Sequence, residues 1–450
     1  MQHFDPQQLL ARIEQILPAQ NSGRWCVAFS GGLDSSVLLH ALAVALPPDS
    51  RQRLRAIYVD HQLQPQSGAW HLHCEQVCRT LGLAYQQIVV TVRIEPGASV
   101  EAAARTARYA ALREALVPEE VLLTAHHADD QLETVLLALL RGSGIKGLAA
   151  MPAIQRFGAG WHARPLLGQT RAVLEHWALA EGLAWITDPS NQALDFDRNF
   201  LRSRVIPRLR TRWPAAAHSA SRTALHAAEA DQLLQQVAQA DARDALVESC
   251  LKVSALAALS GPRRRNLLRY WLRASGASMP STRKLASMEH DMLAARRDRL
   301  PCTEWDRCAV RRHRDLLYCT AAEPAVSCQP LLWEWSTPLS LGPLGCLQAE
   351  VVESGGLATS RLPQHLSVCF RPDAERALFA ARGQQGKLKK LLQKAQVLPW
   401  CRDQVPLVLL DGWLLAIGDW WLSEKFTAPA GEQGVRFVWR EQPRIRAVDN

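Results

Sequence analysis

The sequence predicts an α/β protein built on a doubly wound parallel sheet, followed by a helical domain and a small α+β C-terminal domain. Three observations lead there. Apolar strand-like runs alternate with helix-period segments four times between Trp25 and Thr124, and a glycine-rich turn joins the first strand to the first of these helices. Beyond Pro214 and the alanines that follow it, the pattern becomes almost wholly helical and then breaks into short strands with turns, so the boundaries read as 1–214, 215–300 and 301–450. A chain of 450 residues is too long for one core, and a hydrophobic content of 48% can fill several.

Trp25-Cys26-Val27-Ala28-Phe29 reads as the first buried strand and Val37 to Val44 as the helix after it. Between them lie Ser30, Gly31, Gly32, Leu33, Asp34, Ser35 and Ser36. The glycines allow positive φ and close approach of backbone to a phosphate, while the helix start offers unpaired N–H groups and partial positive charge. A serine-capped glycine turn is the plain alternative. The loop lacks the Lys-Ser/Thr of the common mononucleotide P-loop and the third glycine of a dinucleotide fingerprint. It resembles the SGGxDS loop of the N-type ATP pyrophosphatases, which cleave ATP between the α and β phosphates.

The later elements follow in turn: strand Leu54 to Val59 ending in Asp60-His61, helix Gly68 to Leu81, strand Gln87 to Val92, helix Val100 to Leu116 and strand Val121 to Thr124. Ligands of such sheets bind at the carboxyl ends of the strands. The three polar segments that follow strands, Ser30 to Ser36, Asp60-His61 and Ala125 to Asp130, should therefore meet in one crevice. In the third, His126 stands at the strand end, and Asp130 and Glu133 share one face of a helix running to Leu140. Two carboxylates beside a phosphate loop repel each other and the substrate unless a cation sits among them, which points to Mg²⁺ held by one or both of Asp130 and Glu133 together with substrate phosphates. An N-capped helix with acids in its first turn would look the same. That helix ends in glycines, where Arg141 and Lys146 bracket a loop able to cover an anion. On the preceding helix Arg105 and Arg108 face roughly the same way, a pattern that an ordinary solvated face also produces.

The net charge of +9 and the fifteen tryptophans favour an anionic partner with stacking surfaces. Arg263, Arg264 and Arg265, with Arg269, Arg273, Tyr270 and Trp271, suit RNA phosphates and bases, and equally suit a solvated helix whose aromatics pack inward. Lys387, Lys389, Lys390 and Lys394 follow glycines on a short helix, either as a phosphate-backbone clamp or as the wet face of a helix buried through Leu388, Leu391 and Leu392. Val408 to Ile417 reads as a hairpin on Asp411-Gly412. Eleven cysteines with no Cys-x-x-Cys read as reduced thiols, and Cys74 and Cys78 as two half-buried ones rather than a metal site. The start has no basic stretch leading into an apolar one, and no run of about twenty apolar residues occurs, so the expectation is a cytoplasmic protein with no membrane contact.

Several motifs together resemble the bacterial tRNA(Ile)-lysidine synthases. They are the SGGxDS loop, Ala104-Arg105-x-x-Arg108-Tyr109, the run from His126-His127 through Asp129-Asp130-Gln131-Leu132-Glu133-Thr134, Leu140-Arg141-Gly142-Ser143-Gly144-x-x-Gly147-Leu148, Asp188-Pro189-Ser190-Asn191, Arg198-Asn199-Phe200-Leu201-Arg202 and Val205-Ile206-Pro207. The first and third also occur in tRNA thiolases of the same fold; the Arg-Gly-Ser-Gly loop and the Asp-Pro-Ser-Asn segment discriminate. The region after residue 301 is similar to the C-terminal domain of the longer lysidine synthases, implicated in holding tRNA. The resemblance implies an adenine nucleotide α hydrolase-like fold and an ATP-dependent carbon–nitrogen ligase. It would join free lysine to C2 of the wobble cytidine of the isoleucine tRNA with a CAU anticodon, forming lysidine, AMP and pyrophosphate through an adenylated tRNA. Ser30 to Ser36 and His126 would bind ATP, with Asp34, Asp130 and Glu133 on Mg²⁺. Arg108 and Arg141 would steady developing charge, and Asp129 or Asp130 would orient the lysine ammonium and take its proton. Arg202, Arg263 to Arg265 and the four lysines would hold tRNA. The rivals are a thiolase, which needs paired cysteines near the site, and a non-catalytic RNA-binding protein. The oligomeric state stays open, with a homodimer as one candidate.

Overall fold

The computed structural model describes residues 3–19, 21–63, 67–94, 99–188, 196–296, 299–321, 329–370, 385–429 and 431–448, with backbone only at 385–387. The chain divides into two compact units, Met1–Leu234 and Gln235–Asn450.

In the first unit, strands β1 (Trp25–Ala28), β2 (Leu54–Asp60), β3 (Ala84–Val89), β4 (Val121–Leu123), β5 (Ile154–Phe157) and β6 (Gly160–Ala163) form one sheet in the order β3-β2-β1-β4-β6-β5. All neighbours are parallel except β5 on β6. The pleat sends alternate residues to opposite faces, which explains two separate cores. Cys26, Ile57 and Leu122 pack with Leu112 and Leu116 at the end of helix α4 (Val100–Ala115). Trp25, Val27, Ala56, Val121 and Leu123 pack on the other face, with α1 (Pro6–Ile16), α2 (Leu33–Ala45) and α7 (Arg171–Ala180). Helices on both faces make the sheet doubly wound, as the alternating pattern predicts. Helix α3 (Ser67–Leu81) buries Cys74 and Cys78 as small hydrophobes, and burial pushes each thiol up to about 12.

Two features depart from the sequence expectation. The third strand lies at Ala84–Val89 rather than Gln87 to Val92, because it is an edge strand whose position follows the β2 register from Arg55↔Ala84 to Asp60↔Val89, not its apolar residues. The β5–β6 hairpin, whose second strand extends the parallel sheet beside β4, gives no clear strand signal, because Gln155, Arg156, Trp161 and His162 interrupt any clean alternation. After α5 (Ala128–Leu140) and the short α6 (Ile145–Leu148) the chain reaches α8 (Asp197–Phe200), a π-turn at Leu201–Val205, and α9 (Ile206–Arg212). Pro207 has no N–H to return to the Ser203 carbonyl and crowds it, which accounts for the widened turn just before it.

The second unit is antiparallel. Helix α10 (Ala216–Ala245) leads in, and helices α11 (Val253–Ala258), α12 (Gly261–Ala274) and α13 (Thr282–Ala294) share a core with two strands, Cys308–His313 and Leu316–Ala321, through Leu256, Leu267, Trp271, Met288, Val310 and Leu317. A larger cluster around Trp333, Phe437 and Trp439 takes in Leu388 and Leu392 of α14 (Gln385–Lys394). Strands Leu407–Leu410 and Trp413–Ile417 form the expected hairpin, with Asp411 and Gly412 both left-handed at φ 45 and 80 as its two-residue turn requires.

Candidate active site

The strand order reverses at β1 and β4, and the carboxyl ends of these neighbours carry the two richest polar segments. After β1, Gly31 adopts φ +75, where a side chain would also meet Ile186 Cδ1 at 2.7 Å and Cys74 Sγ at 3.0 Å. Its carbonyl accepts from Ile186 N at 2.8 Å, so the loop is pinned to the chain just before Asp188. Ser35 Oγ donates to the Gly32 carbonyl at 3.0 Å and lies 3.1 Å from Ser30 Oγ, which closes the turn on itself. Gly32 is the N-cap of α2 and offers no side-chain cap. The first N–H groups of a buried helix are thus left for a ligand, in the arrangement that suits an oxyanion.

Beyond the loop the charges interlock. His127 Nε2 lies 3.6 Å from Asp34 Oδ2 and 3.5 Å from Asp130 Oδ2, and Asp130 accepts the His127 backbone N–H at 3.0 Å to cap α5. Burial opposes protonation of this imidazole, but Asp34 and Asp130 outweigh it and raise its pKa. Burial likewise works against the Asp34 carboxylate, and His127, Arg171 and Arg202 overcome it to hold Asp34 below the usual carboxylate range. Glu133 is fully buried: Arg202 Nε donates to its Oε1 at 2.6 Å, Arg202 Nη2 to its Oε2 at 3.0 Å, and Arg198 Nε lies 3.4 Å from Oε2. Arg202 Nη2 also donates to Asp130 Oδ1 at 2.9 Å. Asp129 Oδ2 lies 3.6 Å from the other ring nitrogen of His127, Nδ1, and Asp129 also accepts Arg171 N at 2.7 Å at the start of α7 and pairs with Arg210.

The structure therefore gathers Asp34, Asp130, Glu133 and Arg202, with Asp129 and His126 adjoining. His126 Nδ1 is 2.8 Å from Thr124 Oγ1. Arg108 lies over the Tyr109 ring, 5.6 Å from its centroid, and its charge adds to the burial that depresses His61 at the end of β2. Arg141 is 68% exposed, about 12 Å along the helix from Glu133 at the usual rise, and 3.6 Å from Asp197. Pro189, Ser190 and Asn191 lie outside the described residues. Asp34 Oδ1 is a buried carboxylate oxygen with no hydrogen-bond partner, a hard donor that fits Mg²⁺ shared with phosphates. No cluster of three or more His, Cys, Asp or Glu side chains able to hold a metal occurs among the described residues. Both Glu133 oxygens face guanidinium groups.

In the second unit, Arg263 pairs with Asp241, and Arg264 and Arg265 lie 3.4 and 3.6 Å from Glu289. Trp271 is buried and donates to the Ser249 carbonyl at 2.8 Å, so this aromatic packs inward. Lys389, Lys390 and Lys394 are exposed on α14, away from the buried Leu388 and Leu392; the Lys387 side chain lies outside the described residues.

Residues 6–209 match a family model described as a PP-loop domain, 251–318 one described as the TilS substrate binding domain, and 366–439 the TilS substrate C-terminal domain. The chain is 40% identical over 433 residues to the tRNA(Ile)-lysidine synthase of Coxiella burnetii, covering 96% of both chains. The chain belongs to the tRNA(Ile)-lysidine synthase family. The synthase of Pseudomonas syringae is 40% identical, with 95% of this chain and 98% of that one covered, and that of Escherichia coli O157:H7 is 39% identical, with 92% and 96% covered. A U34-tRNA thiolase from Methanococcus maripaludis overlaps 49% of this chain and 78% of its own at 17% identity and a TM-score of 0.40, too distant to bear on function. Within the family site, sequence reasoning misses His127, Arg171, Arg198 and Arg210 as partners of the acids. Arg198 and Arg202 stand at i, i+4 facing the i, i+3 pair of Asp130 and Glu133, and that matched spacing is the signal available.

Proposed function

We propose that the protein joins the ε-amine of free lysine to C2 of the wobble cytidine in the isoleucine tRNA with a CAU anticodon, consuming ATP. The observation that carries the reading is the pairing, across β1 and β4, of an uncapped phosphate loop with an acid cluster held by arginines. The C2 oxygen attacks the α-phosphorus of ATP, and pyrophosphate leaves into the N–H groups at the start of α2. The lysine nitrogen then attacks C2, and the oxygen departs with AMP. Asp34 and Asp130 would hold Mg²⁺ with the phosphates, and the ion would neutralise charge on the leaving pyrophosphate. Glu133, engaged by Arg202 and Arg198, orients those guanidinium groups. The lysine ammonium must lose a proton before attack. A carboxylate, Asp129 or Asp130, would orient the ammonium and take that proton. Arg108 beside the β2 end would steady the adenylate, while Arg141, exposed at the end of α5, would reach a bound RNA phosphate.

The exposed lysines of α14, with Arg263 to Arg265, would hold the tRNA backbone. No helix among the described residues is long and apolar enough to cross a membrane, and tRNA, ATP and lysine are substrates of the cytoplasm, where we place the protein. The buried Cys74 and Cys78, with pKa values near 12, offer no thiolate for sulfur transfer.

The test is pyrophosphate release with labelled lysine present. Release that requires the isoleucine tRNA, with label entering RNA, supports the reading; binding of tRNA without release makes the protein a non-catalytic RNA binder. Light scattering of the same preparation reads whether it works as a monomer or a homodimer.

A further inference from the structure

Behind His126 runs a line of buried polar groups that the reaction as described does not use. Thr124, at the end of β4, lies 2.8 Å from His126 Nδ1 on one side and 2.8 Å from His162 Nε2 on the other. His162, at the end of the neighbouring β6, has its Nδ1 3.1 Å from Arg164 Nη2, and Arg164 Nη1 donates to the Pro152 carbonyl at 2.8 Å. Thr124, His162 and Arg164 are all more than nine-tenths buried.

Donor and acceptor roles along this line are forced from one end. A guanidinium only donates, so Arg164 presents N–H to His162 Nδ1, which must carry a lone pair. A neutral imidazole then bears its proton on Nε2, and that N–H donates to Thr124 Oγ1. The threonine hydroxyl has one proton, and its other hydrogen-bond partner among the described residues is His126 Nδ1. Were His126 protonated there instead, the hydroxyl would accept twice and its own proton would be buried without an acceptor, at the desolvation cost of an unmade hydrogen bond. His126 Nδ1 therefore accepts, and its proton is on Nε2. That Nε2 has no hydrogen-bond partner among the described residues, and the ring stands just before the start of α5, near enough to Asp130 to feel its charge.

We propose that Arg164, His162 and Thr124 act as positioning residues that lock His126 as a neutral Nε2–H donor, aimed at a phosphate oxygen of the bound nucleotide. The inference rests on the proposed reading of the site. It gives His126 a single task, donation to an oxygen that grows more negative as the adenylate forms, and denies it the role of a proton acceptor because both tautomeric positions are committed. The surroundings agree. Burial, with Arg164, Arg105 and His162 on its side and Asp130 opposing, takes His126 down to about 3, and burial with Arg164 and Arg105 does the same to His162.

The test uses the full chain labelled with ¹⁵N-histidine, with His126→Gln and His162→Gln assigning the two rings. The expected spectrum shows both rings neutral between pH 6 and 8, with Nδ1 unprotonated and Nε2 protonated, before any substrate is added. A proton on Nδ1 of either ring overturns the proposal. In kinetics, Thr124→Val keeps the shape and removes the relay, so kcat for pyrophosphate release should fall about tenfold or more with KM for ATP within about twofold, and Thr124→Ser should restore it. Equal rates for the valine and serine variants, with both folded by circular dichroism, would also overturn it. If the chain released no pyrophosphate at all, the proposed function would fail while the spectrum still decided the tautomers.

Discussion

Two groups of arginine and lysine residues behave differently in this molecule. In the first unit, Arg198 and Arg202 converge on a fully buried Glu133 and on Asp130, so the positive charge is tied to acids at the crevice where nucleotide would bind. In the second, Arg263 pairs with Asp241, and Arg264 and Arg265 with Glu289, at exposures that overlap those of Arg198 and Arg202, while Lys389, Lys390 and Lys394 face solvent. A cation bound to a buried acid is held in place by it; a lysine that faces solvent is available to whatever arrives. The first kind should govern stability and chemistry, the second affinity and its dependence on salt.

The sharpest break between them should come at Asp34. Its side chain is 34% exposed and one oxygen has no partner, so Asp34→Ala should leave the far-UV circular dichroism intact and lower pyrophosphate release about a thousandfold, as expected for a metal and phosphate ligand. Activity within tenfold of the parent would remove the loop from the mechanism. Glu133→Ala should act through the fold instead. Two partly exposed guanidinium groups would lose a buried partner, with Arg202 keeping Asp130, costing about 1 to 3 kcal/mol in denaturant unfolding. An unchanged midpoint would mean the arginines re-pair without it. Gly31→Ala combines a left-handed backbone with a clash against Ile186 and Cys74, and should cost about 1 to 3 kcal/mol, read by thermal unfolding.

That contrast also marks where the sequence can be read. The phosphate loop, the acids of α5 and the alternation of strands with helices are local patterns, visible within a turn or two of chain. The partners of those acids are not: Arg202 and Glu133 are 69 residues apart, and only the folded β4 to α9 segment brings them together. The apolar pattern puts β3 too late in the chain, because an edge strand takes its register from its neighbour. Trp271 reads equally well as a stacking ring and as core, since helical spacing alone does not say which face is covered.

The smallest effects belong to the distal lysines. Replacing Lys387, Lys389, Lys390 and Lys394 with Gln should flatten the slope of log affinity against log salt by about 0.7 to 0.9 for each phosphate no longer neutralised, with adenylation at saturating tRNA little changed. An unchanged slope would make them a solvated face. Arg263→Gln should alter that slope less, because its charge is already paired with Asp241.

The most direct measurement is the mass of the anticodon-loop fragment of the isoleucine tRNA after incubation with the protein, ATP and isotopically labelled lysine. The account predicts a fragment heavier by one lysine less one water, with one AMP and one pyrophosphate formed for each lysine attached. A fragment of unchanged mass in the presence of intact, tRNA-bound protein would contradict it.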